Sequence, residues 1–233
     1  MPHRLLPRLR QALQPLADPE RAAPMRAYMK NQFAFLGVAA PVRRAAVAAL
    51  VRSRLAHAEL LAVAEGLWQC PEREYRYTAI DLLARHVRRL GPADVPWLLA
   101  LAQRDPWWDT VDGLAGVVGD VLARPGGAKS GTRTDRAADD AQQPMDAALH
   151  HPSLWVRRIA MRHQLGWKQH TDVQRLLAYA LALGHEDEFF IRKAIGWALR
   201  DFARTQPETV RQFVQANATR LSALTVREAR KHL

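Results

Sequence analysis

The sequence predicts an all-α fold, a curved solenoid of stacked two-helix repeats spanning residues 1–233 as a single domain. Three observations carry this reading. Apolar residues recur at three- and four-residue spacing in segment after segment, no run alternates long enough to make a strand, and a motif returns at a nearly constant interval.

Taken in order, the helical segments are Val42 to Val51, Leu60 to Leu67, Tyr77 to Val87 and Val95 to Leu101. They continue with Leu154 to Leu165, Val173 to Leu183, Phe190 to Phe202 and Val210 to Val214. Each presents a stripe of aliphatic or aromatic side chains to one side, as an amphipathic helix requires. Pro41, Pro71, Gly91-Pro92, Pro106, Pro152, Gly184 and Pro207 fall between them as helix starts and stops. The repeat aligns Trp155-Val156-Arg157-Arg158-Ile159-Ala160 with Phe190-Ile191-Arg192-Lys193-Ala194-Ile195, a step of 35, and the same step from Ile191 reaches Val226. Backwards, Trp108 to Trp155 is 47 and Tyr75 to Trp108 is 33. The long interval contains residues 124–144, polar and bearing Pro125-Gly126-Gly127 and Pro144, which reads as an inserted flexible loop. Without roughly a dozen of its residues, a period of about 35 returns, the length of a stacked helix pair. An aromatic followed by apolar-Arg-basic thus marks one face, the concave one in such stacks; Trp155 and Phe190 are expected to be stacking anchors between repeats.

Composition narrows the function. Among 233 residues, 34 Lys+Arg face 23 Asp+Glu, a formal charge of +11, which favours a polyanion such as nucleic acid through phosphate neutralisation. Arginine and alanine are abundant, so compositional bias contributes to that charge. A lone cysteine, Cys70, rules out an internal disulfide and a cysteine-rich metal site. The apolar runs are too short for a membrane span, and the basic start lacks the apolar core of a signal peptide. We expect a cytoplasmic, nucleoid-associated protein without a membrane or metal requirement. His150-His151 is expected to cap a helix.

The most informative stretch is Trp107-Trp108-Asp109-Thr110-Val111-Asp112. On a helix, Trp108 and Asp112 lie on one face, and an indole beside a carboxylate receives a cation or a sugar carbon acquiring positive charge. Trp107 reads as a core residue and Asp109 as a helix cap or first-turn partner of the helix dipole.

Four stretches resemble the AlkD family of DNA alkylation repair glycosylases: Tyr28 to Val38, Trp107 to Asp112, Glu188 to Trp197 with Leu199-Arg200, and Arg227-Glu228-Ala229 with Lys231-His232. The resemblance implies HEAT-like repeats around duplex DNA and excision of cationic alkylated purines, chiefly N7-methylguanine and N3-methyladenine. It implies catalytic roles for Trp108, Asp112, Arg158 and Trp197. It further implies recognition through the backbone with the base still stacked, in keeping with the lack of a base-reading set of Asn, Gln and Tyr. Such an enzyme needs no cofactor or metal and no obligate protein partner, and we expect a monomer acting on duplex DNA that carries alkylated purines. Expected DNA contacts are Lys30, Arg43, Arg44, Arg157, Arg192 and Lys193, with Tyr28 from the first stretch. A non-catalytic HEAT-like protein binding bent, branched or damaged duplex is the alternative, and a protein scaffold is a third.

Overall fold

In the computed structural model, residues 4–123 and 135–233 are described, the side chains of 135–141 excepted. They are helical throughout, without a named strand among them. The chain divides into two compact units, residues 1–90 and 91–233.

The first unit contains α1 (Leu5–Leu13), α2 (Pro19–Tyr28), α3 (Ala40–Val51), α4 (His57–Trp68) and α5 (Arg73–Arg85). Helix α1 inserts Leu5, Leu9 and Leu13, one per turn, and packs on α3 and α4. Helix α5 is buried unusually far round its circumference and takes charged groups inside. Glu74 accepts hydrogen bonds from the backbone N–H groups of Leu36, Gly37 and Val38 at 3.0, 2.8 and 3.1 Å, which satisfies an otherwise costly buried carboxylate. Gly37 is required there: its φ is +88°, and a Cβ would stand 2.0 Å from the Asp18 carbonyl oxygen.

The second unit contains α6 (Val95–Ala102), α7 (Trp108–Leu122), α8 (Asp135–Ala148), α9 (Leu154–Arg162), α10 (Val173–Ala182), α11 (Phe189–Ala203), α12 (Pro207–Ala216) and α13 (Ala223–Ala229). Its packing shows the repeat directly. Helix α7 packs on α9, α9 on α11 and α11 on α13, so alternate helices form one layer. Helices α8, α10 and α12 back onto that layer. Trp107, Trp155 and Phe190 meet ring to ring at 5.0–5.7 Å between centroids, so the expected stacking anchors do stack.

Two glycines set the spacing of the layer. A Cβ on Gly119 of α7 would lie 1.9 Å from the carbonyl oxygen of His163, and one on Gly196 of α11 would lie 2.5 Å from the Glu228 Cβ on α13. Next to the first contact His163 is buried. Its Nδ1 gives a hydrogen bond to the Ala160 carbonyl at 2.7 Å and its Nε2 lies 2.9 Å from the Gln142 side chain. Burial depresses its pKa to about 4, so the ring is neutral near pH 7.

The loop expected over 124–144 is corrected in its second part. Residues 124–134 lie outside the described residues, but 135–148 form α8, which runs through Pro144 and buries Gln142, Met145 and Ala148. Asp146 anchors it, accepting from Tyr179 Oη at 2.6 Å and from Arg175 Nε and Nη2 at 2.9 and 3.1 Å. Burial alone would raise the Asp146 pKa; these hydrogen bonds outweigh it and lower the net value. No described helix is long and apolar enough to cross a membrane.

Candidate active site

The four residues expected to carry the chemistry all fall on the α7–α9–α11 layer of the second unit. Trp108 opens α7, half-buried, and Asp112 follows one turn later on the same face. Asp109 lies in the first turn of α7, where a carboxylate complements the helix dipole. Arg158 of α9 grips Asp112 with both prongs: Nε to Oδ1 at 2.7 Å and Nη2 to Oδ2 at 2.9 Å. Its third nitrogen, Nη1, donates to the Phe190 carbonyl oxygen on α11. With 1% of its side chain exposed against 15% for Asp112, Arg158 is the buried clamp and the carboxylate the member that meets solvent.

Trp197 stands on α11, where its ring is surrounded by cations. Arg162 and Lys193 lie 5.0 Å from its centroid, Arg158 5.6 Å and Arg200 5.8 Å. Such contacts are worth about 0.5–2 kcal/mol each, depending on desolvation. The indole Nε1–H donates to Glu228 Oε2 at 3.2 Å. Asp112, Arg158 and Trp197 are thus in one continuous chain of contacts.

Two members of this cluster had no expected role. Arg162, one turn after Arg158, brings Nε to 3.2 Å from Asp112 Oδ1, off the line of a hydrogen bond. Its Nε and Nη1 are buried without a hydrogen-bond acceptor among the described residues, and burial, only partly offset by Asp112, lowers its pKa to about 10. Glu228 on α13 is 4% exposed in its side chain and also accepts from Lys193, Lys231 and Arg200 at 2.9, 2.9 and 3.0 Å. Burial would raise its pKa, but these cations prevail and hold it at about 2. The four-residue step from Arg158 to Arg162 was a legible signal for the first; the second has one local partner, Lys231, and its others lie some thirty positions away on α11.

The expected DNA contacts divide. Tyr28 ends α2 with 70% of its surface exposed, Lys30 is exposed in a left-handed turn at φ 59°, and Arg44 projects outward while sharing Asp81 at 3.3 Å. Arg43 is 2% exposed, paired with Asp81 at 2.9 Å and bonded to Thr78 at 3.2 Å. The two prongs of Arg157 hold Glu186 at 2.7 and 2.8 Å and its Nη1 donates to the carbonyls of His151 and Pro152. Arg192 binds Asp187 and the Glu186 carbonyl, and Lys193 is engaged by Glu228. His151 accepts from the N–H of Ser153, the residue that caps α9, at 3.0 Å.

A family model described as DNA alkylation repair enzyme matches residues 9–233. Among solved structures, a predicted DNA alkylation repair enzyme from Enterococcus faecalis is 32% identical, with a TM-score of 0.78 over 93% of this chain and 96% of that one. No curated protein matches the chain. An all-helical repeat fold with this match along nearly its whole length identifies the class as a DNA repair protein. The chain belongs to the DNA alkylation repair enzyme family.

Proposed function

We propose that the protein is an AlkD-type monofunctional DNA glycosylase, hydrolysing the N-glycosidic bond of cationic purines such as N7-methylguanine and N3-methyladenine in duplex DNA. The observation that carries the proposal is the clamped carboxylate, Asp112 on Arg158, set one turn from Trp108 and linked through Arg158 to the face of Trp197.

The chemistry asks for little else. Alkylation leaves the base cationic, so the electron pair of the breaking bond neutralises the ring and the base departs without a general acid. Positive character gathers at C1′ of the deoxyribose. Asp112 is fixed by Arg158 in a single orientation, so its partly exposed oxygens stabilise that charge and direct a water to C1′; the water's proton is lost to the carboxylate or to solvent. Trp108 and Trp197 offer indole faces to the same cationic sugar. Nothing in this set reads the base edge, which supports excision from a stacked duplex and extends the substrates to bulky cationic adducts. Arg44, Lys30 and Tyr28 are the proposed backbone contacts of the first unit, with Arg192 and Lys193 those of the second.

The test is release of free base from N7-methylated duplex. We expect release by the wild-type protein and a loss of at least ~100-fold in the single-turnover rate for Asp112→Asn, with duplex binding nearly unchanged. Equal rates would remove Asp112 from the mechanism. Duplex binding without release by either protein would favour the architectural DNA-binding reading.

A further inference from the structure

We infer that Glu228 is the positioning residue for Trp197, fixing the edge of the indole and gathering cations about its ring; this rests on the glycosylase reading above. Trp197 is half-buried, and a lone tryptophan on one helix face is free to rotate about its two side-chain torsions unless something holds its edge. Glu228 is what holds it. One oxygen, Oε2, accepts from Nε1–H at 3.2 Å and from Arg200 Nη1 at 3.0 Å; the other, Oε1, accepts from Lys193 Nζ and Lys231 Nζ, both at 2.9 Å. Four donors converge on one carboxylate, and two of them, Lys193 and Arg200, also lie over the indole ring.

The backbone is shaped to permit this. Glu228 reaches the indole because α13 approaches α11 at Gly196, the residue before Trp197, where a Cβ would stand 2.5 Å from the Glu228 Cβ and 3.1 Å from the Thr225 carbonyl oxygen. Thr225 Oγ1 ties the same crossing by donating to the Arg192 carbonyl at 3.1 Å. The charge balance fits as well. Without a carboxylate, Lys193, Arg200, Arg162 and Arg158 would repel one another around a single ring, whereas Glu228 lets two of them stay in place. Glu228 touches no reacting atom in the proposed mechanism and acts through Trp197.

The experiment has two readouts. In the DNA-free protein the Trp197 indole N–H resonance, assigned by its loss in Trp197→Phe, should exchange slowly with water and shift upfield in Glu228→Gln. A fast-exchanging wild-type resonance, or one that Glu228→Gln leaves in place, overturns the inference whatever the activity, and the wild-type measurement does not depend on that variant folding. On methylated duplex, Glu228→Gln should lower the saturating single-turnover rate by ~10-fold or more while changing affinity for undamaged duplex less than ~3-fold. In the Trp197→Phe background the same substitution should cost less than ~2-fold, because the group through which it acts has gone. Multiplicative effects in the double variant, or an undiminished rate in the single one, overturn the inference. No release by wild type would instead sink the glycosylase reading, and the indole resonance would then decide the positioning role alone.

Discussion

Neighbouring arginines in this chain have opposite fates. Arg43 and Arg44 are adjacent, yet about 100° apart around α3, so one turns to Thr78 and Asp81 inside and the other to solvent. Arg157 and Arg158 divide in the same way between Glu186 and Asp112. Arg44→Ala should therefore weaken duplex binding evenly across sequences and reduce the slope of log K against log salt by about one. Arg157→Ala should chiefly lower the melting temperature, since it leaves Glu186 half-buried without its partner. Titrations at several salt concentrations together with thermal melts separate the two. Arg162 presents a different imbalance. Asp112 already has a bidentate partner, so the buried Nε and Nη1 of Arg162 find no hydrogen-bond acceptor among the described residues. Arg162→Met keeps the stem and removes those groups, and should stabilise the DNA-free protein by about 1–3 kcal/mol in urea unfolding. A loss of stability of that size would show that the long Arg162–Asp112 contact matters more than its geometry suggests.

At the scale of elements, the contacts between alternate helices depend on residues without side chains. Gly196→Ala must push α13 away from α11, because the added methyl meets the Glu228 Cβ and a backbone carbonyl rather than the yielding tip of a side chain. We expect a cost of about 1–3 kcal/mol and a faster-exchanging Trp197 indole N–H, checked by denaturation and proton NMR. Most helices were legible in the sequence because their buried faces are aliphatic at helical period, as in α3, α4 and α9 to α12. Helix α8 was not. Among its described side chains the buried face is Gln142, Met145 and Ala148, one of the three polar, and Pro144 interrupts the pattern. Its alanines, strong helix formers, were the signal that apolar periodicity alone overlooks. Of the site, Trp108 and Asp112 were readable from their four-residue spacing, and the roles of Arg158 and Trp197 came only from the resemblance. Glu228 was hidden because its meaning lies in donors brought from other turns and another helix.

For the whole molecule, acid should act in two stages. His163 has an ordinary pKa near 6.5 and a native one of about 4. The unfolded chain therefore takes up this proton first, and stability present above pH 6.5 is lost as pH falls towards 4. Glu228 falls from an ordinary 4.5 to about 2, so its contribution is intact above 4.5 and disappears between there and 2. For the fully buried His163 the loss amounts to roughly 3 kcal/mol. In urea unfolding at pH 7 and pH 5, the wild type should lose more stability on acidification than His163→Gln; equal losses would place the titrating group elsewhere. The +11 charge belongs to the chain as a whole, and two of the arginines expected at phosphates, Arg43 and Arg157, are paired with Asp81 and Glu186.

The helices of the second unit that carry the site are made in the order α7, α9, α11 and α13, and each supplies one part: Asp112, Arg158, Trp197 and Glu228. On a ribosome, a chain that has just exposed α7 holds the carboxylate and Trp108 but neither the Arg158 clamp nor Trp197. Since each helix packs on the one two positions before it, the arrangement is completed from one end to the other. The clamp on Asp112 is thus complete only once α9 has been made, and the hold on the edge of Trp197 only once α13 has followed.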